Sequence, residues 1–123
     1  MNLKERIKIL KDANQIDNSV EVSLLNIINM FWDNFNIKLT EKNGSMLITH
    51  LAVALERIKQ GKCKTGIDED IYKEIQQNEF YGKSVNALSK IADICNIDIP
   101  YNEQTFIIMH LCTLFQNNLW ESD

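Results

Sequence analysis

The stretch MLITHLAVALERIKQG, Met46 to Gly61, decides how the rest of the chain is read. Leu47, Leu51, Ala54 and Ile58 recur along it at helical spacing, and Gly61 supplies the stop. Within this amphipathic helix stands His50. Arg57 follows it by seven residues, two turns along nearly the same stripe. An arginine so placed can approach a group attached to His50, and its planar fork suits the oxygens of a phosphate.

A second stretch has a related arrangement. In NEQTFIIMHLCTLF, Asn102 to Phe115, Glu103 precedes His110 by seven residues, again two turns apart on one face. A carboxylate accepting from one ring nitrogen fixes the tautomer and leaves the other nitrogen available. His50 and His110 are the 2 histidines of the chain. The ordinary role of a lone histidine on an apolar helix is a hydrogen-bonded core residue, and that role competes with a reactive one at both positions. A metal site would need His50, His110, Cys112 and an acid, yet no close-spaced ligand pair exists, so no metal is expected. Phosphate-binding, zinc-protease, nucleophile-elbow and dinucleotide motifs are absent, and no catalytic residue or cofactor is assigned; the chain is read as a non-enzyme.

Working outward, the same helical period repeats along the sequence. Leu3 to Ala13 forms a short amphipathic helix. Val20 to Phe35 follows, with Val22, Leu25, Ile28, Trp32 and Phe35 as its apolar repeat. Thr40 can cap the helix that holds His50, although Asn43, Gly44 and Ser45 can also start it. Asp68 caps a short helix through Ile75, and Phe80 to Ile94 follows with Val85, Leu88, Ile91 and Ala92. Pro100, the single proline, breaks the chain before Thr105 to Leu119, whose apolar surplus implies central burial or an oligomer interface. Five or six helices and no convincing strand make an all-α bundle.

Composition narrows the class. At 123 residues, 45% hydrophobic and net charge -4, the chain has the size of one ordinary domain and is too apolar for disorder. The acidic balance gives no electrostatic footprint for nucleic acid. Its one basic run, Lys4, Arg6, Lys8 and Lys11, is interrupted by Glu5 and Asp12 and reads as a solvated helix face. Cys63, Cys95 and Cys112 form no framework. Cys95 and Cys112 fall in apolar stretches as small core residues, and Cys63 falls in a polar loop where exposure is expected. The charged N-terminus is no signal peptide, and no apolar run is long enough for a membrane span. A reduced, cytoplasmic setting follows as the expectation.

On these residues the chain resembles the PTS regulation domain, or PRD, of bacterial sugar-responsive regulators. The first family motif is matched by His50-Leu51-Ala52-Val53-Ala54-Leu55-Glu56-Arg57, followed by Gly61. The second is matched by Pro100, Glu103, the apolar run Phe106 to Met109, and His110. The resemblance runs from about Val20 to Trp120. It implies a PRD-type five-helix bundle over residues 20–123, with residues 1–19 as an N-terminal helical extension. It further implies a homodimer in which His50 and His110 accept phosphoryl groups, with Arg57 and Glu103 supporting the phosphate or the imidazole. The donors would be the phosphocarrier protein HPr or enzyme II components of the sugar phosphotransferase system. The domain would act on transcription or antitermination through protein partners, such as a related transcription regulator, with no direct contact to nucleic acid or membrane. About twenty residues precede the resembling stretch, which points to a stand-alone PRD acting in trans. Thr49 stands where the family often has an aspartate, and Gln77-Asn78-Glu79-Phe80 stands near the family's Tyr-Pro segment. A binding module that works by contact without phosphorylation is the alternative, and a small metal protein a third reading.

Overall fold

The computed structural model of the chain describes residues 1–62 and 65–118. Among these residues the fold is all-helical, with six helices: α1 (Leu3–Asp12), α2 (Asn18–Phe35), α3 (Glu41–Lys59), α4 (Glu69–Gln76), α5 (Tyr81–Cys95) and α6 (Tyr101–Asn118). They fall into two compact units, Met1–Gly61 and Lys62–Asp123. Cys63 and the Leu119 end of the last helix lie outside the described residues.

The helix boundaries follow from capping chemistry. Asp17 accepts from Val20 N at 2.9 Å and starts α2. Thr40 and Asn43 form a reciprocal capping box, with Thr40 N donating to Asn43 Oδ1 at 2.7 Å, so α3 begins five residues before Met46. Asn43-Gly44 therefore lies inside the first turn of α3. Asp68 starts α4 as its spacing suggested. The last helix begins at Tyr101, ahead of the expected Thr105. Gln104 N reaches Pro100 O at 2.9 Å and closes the first turn directly behind the proline. At the other ends, Asn36 and Asn96 adopt left-handed backbone (φ 55° and 53°) and stop α2 and α5, while Gly61 does so after α3.

In the first unit α1, α2 and α3 pack on one another around Ile7, Leu24, Ile27, Phe31, Ile48 and Leu51, all essentially without solvent contact. Here the apolar repeat expected for α2 is displaced by one residue. Val20, Leu24, Ile27 and Phe31 face inward, whereas Val22 and Trp32 are 54% and 55% exposed. Both rows satisfy a 3.6-residue period, so the period alone does not choose between them; packing against α1 and α3 does. Gly44 sits where a Cβ would come within 3.3 Å of Leu3 Cδ1 and Leu39 Cβ, so its missing side chain lets α1 approach α3. Arg6 donates Nε to Glu41 at 3.0 Å, and Lys59 pairs with Asp17, tying the end of α3 to the start of α2.

In the second unit α6 packs against α5 and α4. It buries Ile107, Ile108, Leu111, Cys112, Leu114 and Phe115, as its apolar surplus suggested. Tyr72 anchors α4, with its ring edge-to-face against Tyr81 and Tyr101. Cys112 is buried with Sγ 3.3 Å from Ser84 Oγ, and burial pushes its thiol pKa up. Cys95 is half-buried.

Candidate functional site

The core side of α3 is set by Gly44, Leu47, Ile48, Leu51, Ala54 and Leu55. His50 lies off that stripe, and its imidazole is exposed. Arg57 follows on the same side, half-buried, about 10 Å along the axis by the rise of a helix. The intervening turn carries Val53, which is 43% exposed, and Met46 precedes His50 by one turn at 65%. The His50 imidazole thus sits in a partly apolar surface with a guanidinium at its end. Met46 lies near the His50–Arg57 stripe by its four-residue spacing, whereas Val53 is the member that this spacing misses; its signal is that it is apolar yet falls outside the Leu47-Leu51-Ala54-Ile58 row. Thr49, beside the histidine, is half-buried, and its Oγ1 lies 3.5 Å from Arg6 Nη1.

On α6 the arrangement differs. Glu103 has no solvent exposure, and His110, two turns on, is half-buried. Glu103 occupies the first turn behind Pro100, where the free amides and the positive end of the helix dipole favour a carboxylate. Burying a carboxylate is costly unless hydrogen bonds compensate it, so this position is structurally specified. Each histidine and its seven-residue partner belong to one unit, His50 and Arg57 to the first, Glu103 and His110 to the second. Among the described residues no three histidine, cysteine or acidic groups converge as a metal site. None of the helices is long and apolar enough to cross a membrane among the described residues.

The sequence model of the PRD domain matches residues 25–113, most of the chain and both histidines. The chain belongs to the PRD domain family. As a PRD chain it is also similar to a protein named "Uncharacterized protein YhfY" from Escherichia coli (strain K12), 20% identical over 113 residues. That match covers 92% of this chain and 94% of the other. No solved structure matches this PRD chain. The matched residues include all of α3 and the part of α6 that holds Glu103 and His110.

Proposed function

We propose that this PRD chain is a phosphorylation-responsive regulatory domain of the sugar phosphotransferase system. It would sense carbohydrate status through its histidines and act on transcription or antitermination through protein partners. The observation that carries this reading is the exposed imidazole of His50, with Arg57 two turns along the same face of α3, in a chain of the PRD family.

The chemistry is a phosphoryl transfer. The phosphorus–nitrogen bond of a phosphohistidine donor, HPr or an enzyme II component, breaks as a bond forms to a ring nitrogen of His50 or His110. A neutral imidazole becomes a group of charge near -2. Arg57 is positioned on the same stripe to receive such a group, and buried Glu103 supports the tautomer of His110. In a homodimer, a bias of about 2 kcal/mol between two packings changes their ratio some thirtyfold. Because its donors work in the cytoplasm, that compartment is the proposed setting.

The test is incubation with phosphoenolpyruvate, enzyme I and HPr, with enzyme II components also supplied, followed by mass spectrometry. Acid-labile phosphate is expected on His50, His110 or both, and is lost site by site in His50→Ala and His110→Ala. Its absence from both under all donors overturns the reading. One observation favours the alternative of a binding module without phosphorylation: Thr49 is no carboxylate and lies beside Arg6, while Met46 and Val53 expose apolar surface around His50. Under that alternative, the double alanine variant keeps its cellular effect.

A further inference from the structure

The N-terminal basic run and the outer row of α2 are both outside the phosphorylation reading, and the first unit places them side by side. On α1, Lys4, Lys8 and Lys11 recur at helical spacing along one stripe, while Arg6 turns away to Glu41. On α2, Leu25, Ile28 and Trp32 form a parallel apolar row. Between the two stripes run two adjoining clefts of about 820 and 520 Å³, which share Lys4, Ile28 and Asn29 in their walls. The floor is apolar and the rim is basic, with Lys4, Lys8 and Lys11 on one side and Lys38 and Lys42 near the Trp32 end. Three acidic residues share the walls: Glu41 is held by Arg6, Glu21 by Lys11 at 3.1 Å, and Asp12 stands at the Lys11 end. No carboxylate pairs with Lys4 or Lys8 among the described residues.

We propose that the α1–α2 groove of the first unit is a docking site for an acidic amphipathic helix of a partner protein. Charge complementarity selects this occupant. The groove sets five lysines against Asp12, Glu21 and Glu41, a local excess of two positive charges in a chain whose net charge is -4, so it is a local exception to the field of the molecule. The geometry fits the same occupant. Leu25 to Trp32 spans about 10 Å of helix axis, the length over which a docked helix presents anchors at i, i+4 and i+7. Trp32, 55% exposed at one end, has the character of an interface anchor: a large apolar surface held outside the core. A nucleic acid would be served by aromatic groups interleaved with the lysines, whereas Leu25 and Ile28 supply an aliphatic floor.

The experiment uses the full chain as bait for a displayed library of helical peptides of about 18 residues with randomised faces. Enriched peptides are then titrated into isotope-labelled protein by NMR. Selection of peptides with an apolar stripe bordered by Asp and Glu is expected. Their shift perturbations should centre on Lys4, Lys8, Ile28 and the Trp32 indole. Trp32→Ala, and Lys4→Glu with Lys8→Glu, should each weaken binding about tenfold or more while the circular-dichroism melt stays as in wild type. Four outcomes overturn the proposal: enrichment of basic or unpatterned peptides, or of none; perturbations elsewhere on the chain; tighter binding of a single-stranded RNA 20-mer or of phosphatidylserine vesicles at the same residues; and self-association through this face in sedimentation, abolished by Trp32→Ala.

Discussion

Asp17 has two roles on one carboxylate. It caps α2 by accepting from Val20 N, and it pairs with Lys59 at the end of α3. The Lys59 contact, with the backbone bond to Val20 behind it, lowers the Asp17 pKa from 3.8 to about 2. Because the folded value lies below the unfolded one, the stabilisation is complete above about pH 4 and is lost as the pH falls through about 2. Asp17→Ala should cost about 1 kcal/mol in urea unfolding at neutral pH, the usual worth of a cap. Asp17→Asn keeps a capping oxygen and removes the charge, so its deficit against wild type should shrink as urea melts are repeated toward pH 2. A deficit that stays constant with pH would show that the ion pair adds nothing. The cap itself could be read from the sequence, since Asp17 precedes an apolar-periodic run. The pair with Lys59 could not, because 42 residues separate the partners and only the packing of α3 on α2 brings them together.

At the scale of the helix, neighbouring residues can differ completely in energetic weight. Phe31 is fully buried and Trp32 is more than half exposed, one residue apart on α2. Phe31→Ala should therefore lower stability by about 3–5 kcal/mol, and Trp32→Ala by no more than about 0.5 kcal/mol, in paired denaturant titrations. Equal losses would mean that the apolar repeat through Trp32 is the inward one after all. Gly44 makes a second element-scale prediction. A β-branched side chain there meets Leu3 and Leu39, so Gly44→Val should cost about 1–3 kcal/mol by overpacking and weaken amide protection in α1. Existence and type of all six helices were legible from periodicity and from Asp17, Thr40, Asp68 and Pro100. The facing of α2 was not, because its two apolar rows have the same period and both have polar flanks. The early start of α3 was obscured for a related reason. Asn43-Gly44 looks like a break, yet here the asparagine completes a cap and the glycine permits close packing.

At the scale of the molecule, the candidate site is a matter of order and charge. The seven-residue relations of His50 to Arg57 and of Glu103 to His110 were visible in the sequence, as was the family they suggest, and the PRD match spans both. Exposure was not visible. On apolar helices a histidine ordinarily reads as core, and only the packing of the first unit turns His50 outward while α6 leaves His110 half-buried. That difference has a whole-molecule consequence. The chain carries net charge -4 with pI ≈ 5.2, and each phosphohistidine adds about two negative charges near neutral pH. Native isoelectric focusing after incubation with the phosphoryl donors should therefore resolve discrete acidic bands, one for each histidine modified. Exposed His50 should be modified first; one phosphate on either histidine gives the same band, so in a time course the first band should appear later in His50→Ala than in wild type and on time in His110→Ala. Mild acid should return every band to the starting position, because a phosphorus–nitrogen bond is acid-labile. A first band that appears as early in His50→Ala as in wild type would transfer the primary acceptor role to His110 and mean that donor access is decided by something other than the exposure of the imidazole.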